Sequence, residues 1–105
     1  KMVQADVLVL ATPVYFYSMD GQLKTLIDRT LPRYTEIRDK EVFFIATAAA
    51  ERGAMERTVD AMRGFTDCLP GAQVKGIVYG SGVYQKGEVT DTKAFQEAFQ
   101  LGRRI

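Results

Sequence analysis

Three apolar runs, each followed by a stretch of helical periodicity, constrain the fold of this chain more than any other feature. The runs are Val7-Leu8-Val9-Leu10-Ala11, Val42-Phe43-Phe44-Ile45-Ala46 and Val74-Lys75-Gly76-Ile77-Val78-Tyr79. They are rich in β-branched and aromatic residues, and the first two carry no polar residue. Continuous runs predict strands covered on both faces, as in parallel sheets. Lys75 and Gly76 interrupt the third run, which places it nearer an edge. After the first run, Met19, Leu23, Leu26, Ile27 and Leu31 fall at helical spacing, with Ser18 or Asp20 as cap and Pro32 as the stop. After the second, Met55, Val59, Met62 and Phe65 make one helical face that ends near Leu69-Pro70-Gly71. A glycine-bearing loop from Gly80 to Gly87 follows the third run. A last helix then starts at about Thr90 or Asp91, with Ala94, Phe95, Ala98, Leu101 and Ile105 as its apolar positions. Strict strand–helix alternation predicts an α/β fold: a parallel sheet with flanking helices and right-handed crossovers.

A chain of 105 residues holds one domain. Three strands are few for a parallel sheet, and the bare edge of an apolar strand invites aggregation. Either another chain supplies the missing strands or the sequence belongs to a longer protein; the expectation is the second, with residues 1–105 as one partial domain.

Composition narrows the chemistry. There is no histidine, so a Ser-His-Asp triad, a Cys-His pair and histidine metal ligands are excluded within these residues. Cys68 is the only cysteine, which rules out an internal disulfide and an Fe–S or zinc site built on this chain's thiols. It reads as an inert small residue at a helix end, in keeping with a reducing, cytoplasmic setting. Fourteen basic residues against thirteen acidic ones leave a net charge of +1, without a like-charge run, so neither nucleic acid nor a membrane surface is an expected partner. No apolar run approaches the roughly 18 residues of a membrane span. Chemistry without acid–base side chains of the usual kind points to a cofactor.

Ligands of open α/β sheets bind outside the carboxyl ends of the strands. Here those ends lead into Thr12–Ser18, Thr47–Gly53 and Gly80–Glu88. The first loop sets Tyr15, Phe16 and Tyr17 in a row beyond a buried strand. Loops run over the surface, so a cluster of aromatics there has two readings. The rings pack beneath the loop or at a dimer interface, or they stack on a planar heterocycle whose polar edge meets loop N–H groups. The residues alone leave both open. Tyr79 and Tyr84 are equally divided between a ligand site and a subunit interface. Lys24 and Asp28 are spaced for an ordinary helix-surface pair. Gly80-Ser81-Gly82 reads first as a tight surface turn.

Ala5-Asp6, the apolar strand, Thr12-Pro13-x-Tyr15, a short loop and Leu23-Lys24-x-x-Ile27-Asp28-Arg29 together resemble the signature of the flavodoxin-like NADPH-dependent FMN reductase family. Tyr79 to Glu88 and the final helix through Leu101-Gly102 resemble the family's C-terminal part, so the resemblance spans the chain. It implies a flavodoxin-like fold with FMN at the carboxyl edge of the sheet. Carried over by position, Thr12, Pro13, Val14, Tyr15 and Phe16 would meet the flavin ring, and Ala48, Ala49 and Ala50 would flank it from the next strand. Arg52 would stand near a phosphate of the nicotinamide partner, or be a solvated surface residue. The family's phosphate-binding loop follows its first strand, a segment with no counterpart within residues 1–105.

The resemblance thus implies an oxidoreductase that passes hydride from NADPH or NADH to FMN and on to an electron acceptor, working as a homodimer. Two other functions compete: a flavodoxin-type electron carrier without catalysis, and a cofactor-free oligomeric interaction module. Turnover of NADPH separates the first from the carrier, and stoichiometric FMN binding excludes the module.

Overall fold

A computed structural model describes all residues, 1–105. The order of elements is β1 (Val7–Pro13), α1 (Gly21–Asp28), a 3-10 helix (Leu31–Glu36), β2 (Glu41–Thr47), α2 (Arg52–Asp67), β3 (Gln73–Gly80), a second 3-10 helix (Glu88–Asp91) and α3 (Lys93–Gly102). The strands form one sheet in the order β1-β2-β3, parallel throughout. Each expected strand is present and slightly longer than its apolar run.

One face of the sheet carries Leu8, Leu10 and Thr12 of β1 and Val42, Phe44 and Ala46 of β2, all buried. Met55, Val59 and Met62 of α2 and Leu23 of α1 join this layer, and Ile37 and Leu69 complete its core cluster. The helical face expected around Met55 is the one that packs. Phe44 has no exposed surface, and burying a side chain of this size stabilises the fold by about 1.5–3 kcal/mol.

The opposite face departs from the expectation of strands covered on both sides. Burial in β1 alternates, and Val9 is 51% exposed. The reason is the reach of the covering helix. On this side α3 packs on β3, with Leu101 over Gly76, and leaves the β1 end of the face open. A Cβ at Gly76 would come to 3.0 Å from both Leu101 and Phe43, so glycine there permits the close approach of α3.

Lys75 and Gly76 also have a structural reason. The β2–β3 register slips here: Val42 pairs with Val74, and Phe43 with Gly76. Lys75 is the extra residue of a bulge, which resets the alternation so that Val74 and Ile77 both pack against the α2-side core while Lys75 stays in solvent. As expected, β3 lies at an edge of the sheet.

Helix ends follow capping chemistry. Asp20 caps α1, its Oδ1 accepting the Leu23 N–H at 2.8 Å. The helix ends at Asp28, before Leu31, and Pro32 does not stop it but opens the following 3-10 turn, where its missing N–H costs nothing. Thr92 caps α3, so that helix starts after a separate turn at Glu88–Asp91 rather than at Thr90. Lys24 and Asp28 form the expected pair on the α1 surface, both more than half exposed. No helix is long and apolar enough to cross a membrane.

Candidate functional site

All three strands end at one edge, and their exits form a cluster of loops. The first exit is shaped by a two-residue hairpin turn. Tyr15 and Ser18 exchange both backbone hydrogen bonds at 3.0 Å, with Phe16 (φ 51°) and Tyr17 (φ 63°) between them. Left-handed backbone at both central positions is the type I′ pattern, which favours Asn-Gly because bulky residues are strained there. An aromatic pair in this conformation costs on the order of 1–2 kcal/mol per residue. The strain is not offset by burial: Phe16 is 100% exposed, and Tyr15 and Tyr17 are also largely in solvent. Tyr17 gains one local contact, the Arg57 guanidinium of α2 lying 5.0 Å from its ring centre.

The second and third exits are laced together. The N–H of Ala48 donates to Gly80 O, that of Gly82 to Ala50 O, and that of Val83 to Ala48 O. Gly80-Ser81-Gly82 is therefore a turn zipped onto the Ala48–Ala50 loop, with Gly82 at φ 69°. Beyond it, Glu88 Oε2 accepts the N–H groups of Tyr84 and Gln85, each at 2.8 Å. These two charge-assisted bonds, Gln85's the larger influence, hold the Glu88 carboxyl below its ordinary value of 4.5.

Between the exits lies a cavity of about 490 Å³, walled by Pro13, Val14 and Tyr15 from the first loop, Thr47, Ala48 and Ala49 from the second, and Val83–Lys86 with Val89 from the third. A second cavity of about 240 Å³ shares Val14, Ala48 and Ala49 and is closed by Phe16, Tyr17, Ala50 and Ala54. Every expected site residue except Thr12 lines one or both. Thr12 is buried beneath the loop, its hydroxyl bonded within the chain.

The walls are mostly apolar, small at Ala48, Ala49 and Ala50, and they leave donors free. The N–H groups of Phe16, Tyr17, Ala49 and Ala50 have no hydrogen-bond partner in the chain. This combination suits the edge and face of a planar, polar-rimmed ring. It does not suit a phosphate, since Lys86 is the one charged residue lining the main cavity. A flavin ring fits the residues present; its phosphate finds no cradle among them.

The third wall, with Val83, Gln85, Lys86 and Val89, was not among the expected site residues, nor was Thr47. A signal for the third wall existed in Glu88, a carboxylate three and four residues after two amides it can tie. Arg52 lies over the Tyr79 ring at 4.2 Å and donates to Glu56 Oε1 at 3.3 Å, while the Tyr79 hydroxyl donates to Glu56 Oε2 at 3.1 Å. Burial first, then the Glu56 carboxylate, raises the Tyr79 pKa. Arg52 is thus engaged with α2 and β3 and lines neither cavity.

Comparison with known proteins bears on the fold and the family. An iron-sulfur flavoprotein of Methanocaldococcus jannaschii is 36% identical over 67 residues, which cover 62% of this chain and 35% of that protein. The matched region thus spans about a third of that relative's length. The Trp repressor binding protein from Bacillus subtilis has a similar structure, with a TM-score of 0.78 at 24% identity, over 99% of this chain and 72% of that one. A WrbA-like flavodoxin from Agrobacterium tumefaciens gives a TM-score of 0.68 at 15% identity, over 98% and 69% of the two chains. At such identities the likeness establishes the fold, which is flavodoxin-like α/β. The family described as NADPH-dependent FMN reductase matches residues 1–86, and the chain belongs to that family.

Proposed function

We propose that residues 1–105 are a partial flavodoxin-like domain that provides the ring-binding side of a flavin-dependent oxidoreductase. The observation that carries this reading is the strained aromatic turn on the rim of apolar cavities at the carboxyl edge of the sheet. Strain of this kind persists only where the surrounding structure or a ligand repays it. Family membership supports FMN as the ligand. Bound FMN would supply the redox chemistry, accepting hydride from NADPH or NADH and passing electrons to an acceptor.

The chain's own residues bind and orient. Pro13, Val14 and Tyr15 form one wall, and Ala48, Ala49 and Ala50 a second whose small side chains allow close approach of a ring to the backbone. The free N–H groups of Phe16, Tyr17, Ala49 and Ala50 would donate to the ring's polar edge. Phe16, in solvent, would cover the ligand or meet a second subunit of the expected homodimer. No histidine is present to move a proton, consistent with a protein whose share is positioning.

Titration of FMN into the purified protein, followed by flavin fluorescence, tests the reading. Saturable quenching at one FMN per chain, with NADPH consumed in the presence of an electron acceptor, is the expected result. FMN binding without NADPH consumption would leave a carrier instead of an enzyme, and no binding at tens of micromolar would reject the site within these residues.

A further inference from the structure

The expected site residue that lines neither cavity has the most committed side chain in the loop. Thr12 is 3% exposed. Its Oγ1 accepts the N–H of Asp20 at 2.9 Å and donates to the carbonyl of Pro13 at 2.7 Å. One hydroxyl therefore touches both ends of the loop that carries Tyr15, Phe16 and Tyr17. The hydrogen bonds between Tyr15 and Ser18 fix the shape of the turn but not its direction. Direction depends on ties to the rest of the protein. On the entry side the tie is Val14 N–H to Thr47 O at 2.9 Å. On the exit side it is the Thr12 hydroxyl oxygen, which accepts the N–H of Asp20, the residue that also caps α1.

We infer that Thr12 is a positioning residue, whose buried hydroxyl aims the aromatic turn at the cavity by joining the end of β1 to the start of α1. The inference rests on the flavin reading for its functional consequence, not for the brace itself. A valine has the shape of threonine and would fill the same buried position in a strand, so packing alone does not call for a hydroxyl. Removing the hydroxyl leaves the Asp20 N–H without its partner, and the exit side of the loop is then held by the packing of Met19 against the core and the Tyr17–Arg57 contact, without a directional bond to β1.

The test is Thr12→Val beside Thr12→Ser, with FMN affinity, amide exchange at Asp20 and thermal stability measured on each. Thr12→Val should lose Asp20 protection and bind FMN on the order of tenfold more weakly, the scale of one lost hydrogen bond. Thr12→Ser should restore both. Unchanged FMN affinity in Thr12→Val, with Asp20 exposed, would overturn the positioning role and leave only a structural one. If Thr12→Val does not fold, Asp20→Pro and Asp20→Ala decide. Both remove the capping carboxylate, only proline removes the N–H, and the Asp20 φ of −69° accepts the ring. Asp20→Pro should bind FMN more weakly than Asp20→Ala, and equal affinities would overturn the inference. Should the protein bind no FMN, the flavin reading falls by itself. Acrylamide quenching of tyrosine fluorescence and exchange at Asp20 then judge the brace, and a loop unaltered in Thr12→Val would overturn it.

Discussion

The middle of β2 and the turn after β1 both carry aromatic side chains, and the fold treats them in opposite ways. Phe44 is wholly buried between the sheet and α2, in an ordinary strand backbone. Phe16 is wholly exposed, and its backbone is left-handed. The first residue contributes stability by leaving water. The second costs stability through backbone strain and regains none by burial, since its ring is in solvent whether the chain is folded or not. A chain that keeps such a residue at the carboxyl edge of a well-packed sheet separates what folds the domain from what meets another molecule.

The largest expected effect lies on the folding side. Phe44→Ala removes a side chain with 0% exposure from the centre of the core cluster. It should lower stability by about 3–5 kcal/mol, read as a shifted midpoint in urea unfolding. A loss below about 1 kcal/mol would mean that the core collapses around the gap, and the contrast with the turn would lose its force.

The turn should respond with the opposite sign. Replacing Phe16 by Asn and Tyr17 by Gly together supplies the pair that a type I′ turn prefers. Relief of two strained positions exceeds the lost contact between Tyr17 and Arg57, so a gain of about 1 kcal/mol in urea unfolding is expected. FMN binding should weaken at the same time. Stabilisation with unchanged FMN affinity would detach the aromatics from the ligand and favour a subunit contact for them.

The same contrast marks how far the sequence could be read. The strands were legible because Val7–Ala11, Val42–Ala46 and Val74–Tyr79 are apolar runs too long to be loops. Their environment was not, since nothing local to Val9 says that α3 stops short of it. The helical face of Met55, Val59 and Met62 was legible from spacing, whereas the start of α3 was not, because Glu88–Asp91 forms its own turn before Thr92. At the site, the first two loops were found from residue type and family pattern. The third wall was legible only in part: Gly80 to Glu88 follows a strand's carboxyl end and Tyr84 was a candidate, but nothing local shows that the N–H groups of Gly82 and Val83 tie this loop to Ala50 and Ala48. The turn's strain was hidden too, since Phe16-Tyr17 lacks the Asn or Gly that ordinarily announces a left-handed pair.

The third wall offers a smaller test, through pH. Glu88 holds Tyr84 and Gln85 by their N–H groups, and the bonds lower its pKa from 4.5. A depressed folded-state value means that the tie contributes fully above the unfolded value and is lost as pH falls below 4.5 through the lower folded one. Amide exchange at Tyr84 and Gln85, corrected for intrinsic rates, should accelerate in that window, and Glu88→Ala should show the fast exchange already at neutral pH. Exchange indifferent to both changes would mean that the loop holds its place through Gly82 and Val83 alone.

The smallest effect belongs to residues that carry the family pattern most visibly. Lys24 and Asp28 lie within the Leu23-to-Arg29 string, yet their ion pair stands in solvent, with side chains 58% and 60% exposed. Water and salt screen such a pair, and fixing two mobile side chains opposes it. A double-mutant cycle on Lys24→Ala and Asp28→Ala should give a coupling below about 0.5 kcal/mol, with FMN affinity unchanged in every member. A larger coupling, or a loss of FMN binding, would show that α1 acts on the site through its surface. The division between a folding core and a strained binding rim would then have to include the helix that joins them.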